Sequence, residues 1–324
     1  MKNKILLFTH KSDIDGMGDV VLAKLAFNNV DYVLCETFNL QDEMTKYYNN
    51  GKIYQYDKIF VTDLWLEEPM LSKVATDEKL NGKFLVFDHH ESAIIEGFNK
   101  YDFTTIKVSN AYGLCSGTSL FYEYLIKQGY LNHNDALIKD FVELTRKYDT
   151  WEWATKYHEE MPHELTLLFD SIGREGYIKL MFEKLNEHEY TSFQFNKLEK
   201  MLITNKIKQT KEILANYASK VYYRNIFGLK AGIVFTNFEY RNDLAEYFRQ
   251  HNFDMDFAML ISLDYGVVSY RSIKKGVSVR QIAEKLGGKG HENTASSPIR
   301  EEQKDKLIRV IQKKKIKIFK GVYS

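Results

Sequence analysis

Ile5-Leu6-Leu7-Phe8-Thr9-His10-Lys11-Ser12-Asp13-Ile14-Asp15-Gly16 decides the fold. Its first half is a short unbroken apolar run, the pattern of a strand buried on both faces, and it gives way abruptly to His10, Asp13 and Asp15. Tyr32–Cys35, Ile59–Thr62 and Phe84–Phe87 repeat the pattern, while Asp19–Phe27 and Glu67–Ala75 space their apolar residues as helices do. Strands alternating with helices predict a doubly wound parallel sheet. In such a sheet the carboxyl ends of the strands face the ligand crevice. Here three of those ends carry ionisable residues: His10, Asp13 and Asp15 after the first, Asp63 after the third, and Asp88, His89 and His90 after the fourth. They should converge on one rim.

Singly, each has an ordinary explanation, since Asp-x-Asp-Gly after a strand is a common turn and a histidine pair a common loop element. Together they point to metal. Crowded carboxylates repel one another unless divalent cations neutralise them, and imidazole with carboxylate suits Mn, Fe, Co or Zn. So many acids predict two ions, and a pair roughly 3.5–4 Å apart is arranged for in-line attack on phosphorus. Thiolates contribute nothing: Cys35 and Cys115 are the only cysteines, too few for a disulfide framework or a four-thiolate zinc site.

A chain of 324 residues favours two domains, and 44% hydrophobic with 27% charged residues excludes a disordered protein. The apolar core of MKNKILLFTH is too short for a signal peptide and no later stretch is long enough to span a membrane, so a cytoplasmic protein without a membrane partner is expected. Ser116–Gln128 and Asn134–Tyr148 read as helices, and Ser192–Ser219 as one long connecting helix. The expected organisation is a catalytic domain over 1–190, a helical linker over 191–225 and a smaller α/β domain over 226–324. In the last, Ala231–Thr236, Phe257–Leu263 and Val267–Tyr270 read as strands and Asp243–Gln250 and Val279–Leu286 as helices.

The net charge of +1 hides a division: residues 1–190 hold 20 Lys+Arg against 31 Asp+Glu, net −11, and residues 191–324 hold 25 against 13, net +12. An acidic half concentrates metal cations and a basic half attracts a polyanion, each over a Debye length of about 8 Å. In the basic half, Gly287-Gly288-Lys289-Gly290-His291 follows a helix. Its glycines let backbone N–H groups approach a phosphate and its Lys and His add positive charge, although Gly-Gly after a helix is also an ordinary C-cap. Lys313, Lys314, Lys315, Lys317 and Lys320 near the end read as a solvated helix face.

In order and spacing, His10 through Gly16, Asp63, Asp88-His89-His90 and Asp149 resemble the four motifs of the DHH phosphoesterase superfamily, with His10 and Asp13 three apart where many members have four. Ser116-Gly117-Thr118 resembles the small-residue helix opening that follows the Asp-His-His strand. Gly287 through His291 resembles the GGGH signature of the DHH-associated C-terminal domain, with Lys289 in place of a glycine, and Ser269-Tyr270-Arg271-Ser272 resembles that domain's arginine-bearing strand. Tyr148-Asp149-Thr150-Trp151-Glu152-Trp153 and the Thr9–Gly16 stretch look most similar to the B-type nanoRNase branch.

The resemblance implies that His10, Asp13 and Asp63 hold one Mn2+ and Asp15, Asp63, His89 and Asp149 a second, Asp63 bridging, with Mg2+ or Co2+ as substitutes. His90 would lie over a bridging hydroxide and Asp88 would orient a ligand. Arg271, Gly288, Lys289, Gly290 and His291 would bind the substrate. The implied activity is hydrolysis of short oligoribonucleotides or linear dinucleotides to mononucleotides by attack of the metal-bridging hydroxide. The alternatives are a pAp or pyrophosphate phosphohydrolase and a catalytically silent nucleotide-binding protein. The Gly-Gly-Lys-Gly-His loop argues against pyrophosphate, because that branch carries a different C-terminal domain. A homodimer is compatible with the reading.

Overall fold

The computed structural model describes residues 4–111, 113–187 and 191–299, so the lysines from Lys313 to Lys320 lie outside the described residues. The chain divides into two compact units, residues 1–206 and 207–324.

The first unit runs β1 (Lys4–His10), α1 (Ile14–Ala26), β2 (Asn29–Cys35), α2 (Leu40–Asn49), β3 (Lys58–Thr62), α3 (Glu68–Thr76), β4 (Phe84–Asp88), α4 (Glu91–Ile95) and β5 (Thr104–Ile106). A two-strand ribbon follows, β6 (Ser109–Asn110) with β7 (Gly113–Leu114), then α5 (Gly117–Lys127), α6 (Ala136–Asp149), α7 (Met161–Glu187, kinked at Gly173) and α8 (Lys197–Ala218), whose second half belongs to the second unit. The first five strands form one parallel sheet in the order β2-β1-β3-β4-β5. Ile5, Leu6, Leu7 and Phe8 are all fully buried, as a strand covered on both faces requires. Leu6 and Phe8 pack with Leu40 and Met44 of α2 and Leu71 and Val74 of α3. Phe60 and Phe87 meet Phe121 of α5 at ring distances of 5.0 and 5.7 Å, and α1 packs on α5, α6 and α7. Because α1 leads from β1 to β2 while α2 returns to β3, the chain switches direction between β1 and β3, and a crevice opens there at the carboxyl ends.

Helix α1 starts at Ile14, well before the Asp19 read from apolar spacing, because the Asp13 side chain accepts from Gly16 N and caps it. Gly16 and Gly18 sit inside the helix for want of room. A Cβ on Gly16 would stand 2.0 Å from the His10 carbonyl oxygen, and one on Gly18 2.6 Å from Thr118 Oγ1. Helix α8 begins at Lys197 rather than near Ser192 because Asn196 and Glu199 cap each other reciprocally, at 2.9 and 2.8 Å. Both cysteines are buried and unpaired.

The second unit adds β8 (Tyr222–Ile226), β9 (Leu229–Phe235), α9 (Arg241–Gln250), β10 (Phe257–Ser262), β11 (Val267–Ser272), α10 (Val279–Lys285), β12 (Lys289–Gly290) and β13 (Thr294–Pro298). Its mixed sheet has the order β12-β13-β11-β10-β9-β8, with only β9 and β10 parallel. Leu244 and Phe248 of α9 pack with Val234, Ala258 and Leu260, and Val279, Ile282 and Ala283 of α10 with Phe257, Ile261 and Tyr270. Among the described residues no helix is long and apolar enough to cross a membrane.

Candidate active site

The carboxyl ends of β1, β3 and β4 bring the expected residues together. His10 closes β1, and its Nδ1 lies 2.5 Å from Asp13 Oδ2 and 3.5 Å from Asp63 Oδ2. A three-residue separation therefore suffices for His10 and Asp13 to meet. His89, just past β4, sets Nε2 at 3.2 Å from Asp63 Oδ1 and 3.4 Å from Asp149 Oδ2. Asp15 is fully buried in the first turn of α1, and its two oxygens accept from the backbone N–H groups of Gly117 and Thr118 at 2.6 and 3.0 Å. Those amides open α5, so the helix N-terminus supports the Asp15 charge. Its Ser116 cap and Ser119 form a capping box.

The ligand atoms of His10, Asp13 and Asp63 lie within 4.8 Å of one another, as do those of Asp15, His89 and Asp149, and those of Asp63, Asp88, His89 and His90. Asp63 adopts a left-handed backbone, φ 54°, uncommon for a residue with a side chain. The N-terminus of α5 is pressed against it: a Cβ on Gly117 would lie 2.6 Å from Asp63 Cβ. His90 Nδ1 lies 2.7 Å from Asp88 Oδ1, and Asp88 is fully buried. This leaves His90 Nε2 facing away from Asp88.

The electrostatics of this cluster favour a cation. Burial and the neighbouring Asp63 charge push the Asp15 carboxyl up to about 7. Burial and the Asp15 charge likewise drive Asp149 well above the usual carboxylate range. Burial works to raise Asp63 as well, but the His10 and His89 rings outweigh it and hold that carboxyl at about 2. Burial would lower both histidines, yet Asp13 and Asp63 carry His10 to about 11, and Asp63 with Asp149 carries His89 to about 10. Asp63 Oδ2 and Asp149 Oδ2 are buried without a hydrogen-bond donor. Buried oxygens of this kind, among imidazole and carboxylate ligands, fit divalent ions.

Two contributors escaped the sequence reading. Glu36 stands immediately after β2 and takes His10 Nε2 at 3.1 Å, while Ser12 Oγ donates to its other oxygen at 2.5 Å. A carboxylate on the far ring nitrogen fixes the tautomer of a metal-binding histidine. The strand-end rule that found Asp63 applies to Glu36 as well. Asp19, one turn after Asp15, is fully buried under the cluster, accepts from Thr9 Oγ1 at 3.2 Å, and is pushed well above the usual range by burial and the Asp15 charge. Only its helical spacing from Asp15 could have signalled it.

In the second unit, Arg271 of β11 is 8% exposed, and the hydrogen bonds it makes go to neutral oxygens: Nε and Nη2 to Asn242 Oδ1 at 3.1 and 3.0 Å, and Nη1 to the Tyr270 carbonyl at 2.9 Å. Burial, with Arg241 and Arg249 nearby, lowers its guanidinium to about 10. A buried cation held by neutral partners suits an anion. Arg271 does not line the open groove of about 610 Å³ in this unit, whose walls include Arg249, Phe253, Asp254, Ser272, Lys274 and Asn293. Arg271 pairs with Thr294 in the β11–β13 register, and His291 N donates to the Thr294 carbonyl at 2.7 Å, so Arg271 and His291 flank the same residue.

The glycines of the loop have structural reasons. Gly287 takes φ 80° at the end of α10, and the Gly287 and Gly288 amides donate to Glu284 and Ala283 carbonyls, which is a C-cap. A Cβ on Gly288 would meet the Ser296 carbonyl oxygen at 2.0 Å, and one on Gly290 the Ala295 Cα at 2.3 Å. The Gly287, Gly288 and His291 amides are already used, and the Lys289 and His291 side chains are exposed.

A parallel α/β unit with an Asp-His-His rim, followed by a mixed-sheet unit with an arginine strand and a glycine loop, is the arrangement that the resemblance to the DHH phosphoesterases implies. Over 298 residues it is 27% identical to the oligoribonuclease NrnB of Bacillus subtilis (strain 168), an alignment that takes in 91% of this chain and 73% of NrnB. No profile of a known family matches the chain. Among solved structures, a DHH domain described as coming from a member of a family of ribosomal proteins superposes with a TM-score of 0.59 at 14% identity, covering 97% of this chain and 86% of the other. The pGpG-specific phosphodiesterase PggH of Vibrio cholerae gives 0.52 at 13% identity, covering 95% and 97%. Both likenesses concern the fold.

Proposed function

We propose that the protein is a two-metal phosphodiesterase that hydrolyses short oligoribonucleotides or linear dinucleotides to mononucleotides. The observation that carries this reading is a pair of ligand groups, His10–Asp13–Asp63 and Asp15–His89–Asp149, brought side by side where His89 Nε2 lies 3.2 Å from Asp63 Oδ1, with buried oxygens on Asp63 and Asp149 that lack a hydrogen-bond partner. NrnB, similar over most of this chain, is an oligoribonuclease. His10, Asp13 and Asp63 would hold one ion and Asp15, Asp63, His89 and Asp149 the other, Mn2+ by preference and Mg2+ or Co2+ as substitutes. Two such ions lower the pKa of water and neutralise charge on a phosphoryl group.

The chain's own residues supply the rest. Glu36 would keep His10 Nδ1 turned to the rim. Asp88 outweighs burial and raises the His90 pKa, so His90 would hold a proton and offer it at Nε2 to a phosphate oxygen. Arg271, Lys289 and His291 would hold a substrate phosphate, with Gly288 and Gly290 shaping the loop. In this assignment residues 1–190 carry the chemistry, 191–225 link, 226–324 bind substrate, and the enzyme works in the cytoplasm.

The test is hydrolysis of 5′-phosphorylated di- to decanucleotides, pGpG, pAp and pyrophosphate in Mn2+ by wild type and Asp63→Ala. Short oligonucleotides or pGpG should be cleaved by wild type, and Asp63→Ala should lose about three orders of magnitude or more in kcat with its fold intact by circular dichroism. Near-wild-type turnover by the variant, or a preference for pyrophosphate, would sink the proposal.

A further inference from the structure

Trp151 occupies a backbone conformation that costs energy and gains nothing evident for the core. Its φ is 61°, a left-handed value rare for a bulky residue, and its indole is 55% exposed. The turn is nonetheless rigidly held. Trp151 N donates to the Tyr148 carbonyl at 3.0 Å, and Thr155 Oγ1 donates to the Trp151 carbonyl at 3.0 Å. Its indole stands edge-on to Trp153, with centroids 5.5 Å apart, and Trp153 in turn stacks on His163 at 5.0 Å. The next residue, Glu152, is pinned by a buried ion pair with Arg146, which also donates to the Leu114 carbonyl at 2.8 Å. A braced, outward-facing aromatic is thus fixed two residues after Asp149, within roughly 7 Å of it along the backbone.

We infer that Trp151 is the stacking platform for the nucleobase adjoining the phosphoester that is cut, a role that rests on the phosphodiesterase reading. An indole face accepts any base, so this contact would give affinity without sequence preference. The strained turn is explained as the means of presenting the ring beside Asp149.

The experiment measures binding of a fluorescently labelled 5′-phosphorylated diadenylate by anisotropy without metal, and its hydrolysis in Mn2+, for wild type, Trp151→Ala, Trp151→Phe and Trp151→Gly. Trp151→Ala should weaken binding and raise KM about tenfold with kcat within about twofold, and Trp151→Phe should recover most of the loss. Trp151→Gly relieves the backbone, so its Tm should equal or exceed wild type while its affinity falls like that of the alanine variant. Unchanged affinity in Trp151→Ala overturns the inference, as does a lower Tm in Trp151→Gly. Failure of wild type to cleave any oligonucleotide speaks against the phosphodiesterase reading instead, and the binding measurement still decides the role of Trp151.

Discussion

At the scale of single residues, the metal-free cluster stores repulsion that pH should reveal. Asp15, raised to about 7, keeps a proton in the folded state that the unfolded chain has released, so its contribution is present below the ordinary carboxylate range and lost as pH rises through about 7. His10 and His89, raised to about 11 and about 10, contribute fully below about 6.5 and lose that contribution as pH rises through their folded values. Asp63, held at about 2, acts oppositely, but only below the ordinary range. Metal ions must displace the retained protons, so they bind more tightly as pH rises. The expected outcome is a larger Mn2+-induced increase in Tm at pH 8 than at pH 6. Asp149→Asn should raise the Tm of the metal-free protein by relieving repulsion and shrink the Mn2+ increment. Thermal melts with and without Mn2+ at both pH values check this.

At the scale of elements, the rim depends on α5 standing hard against Asp63. Gly117→Ala places a Cβ 2.8 Å from Asp63 N, so the helix N-terminus must retreat and its bonds to Asp15 lengthen. A loss of about 2 kcal/mol or more is expected, together with weakened Mn2+ binding, read by denaturant unfolding and by calorimetric titration. The buried strands and their acidic ends were legible in the sequence because a strand covered on both faces must be a continuous apolar run and the chemistry must follow it. Strand β5 is only Thr104–Ile106 and β13 reads Thr-Ala-Ser-Ser-Pro. Neither carries an apolar period, so pairing with a neighbour defines them and local pattern does not. Asp149 was visible only through family likeness, since its proximity to His89 arises from the packing of α6. Glu36 stands at the end of β2 as Asp63 stands at the end of β3, so its place on the rim was legible, whereas its contact with His10 Nε2 depends on the pairing of β1 with β2.

At the scale of the whole molecule, the near-neutral total conceals an acidic half, net −11, and a basic half, net +12. Substrate capture should therefore be salt-sensitive, and Arg271 should carry part of that sensitivity. Arg271→Ala is expected to raise KM for a dinucleotide by about tenfold or more, with a smaller change in kcat. The slope of log KM against log salt should fall by about one unit in the variant, measured between about 50 and 200 mM KCl. An unchanged slope would remove Arg271 from the phosphate contact. The arginine's lack of a carboxylate partner among the described residues, which no composition could disclose, is what makes this outcome specific.

The amides of Gly117 and Thr118 join α5 to the Asp15 carboxylate at 2.6 and 3.0 Å. Their protons sit at the junction between a helix and the acidic rim, so deuterium uptake at these two backbone positions is expected to follow metal occupancy: slower where the carboxylate is pinned from both sides, faster where repulsion among the bare acids lets the junction breathe. Hydrogen exchange at these two amides would then gauge metal loading with no added label.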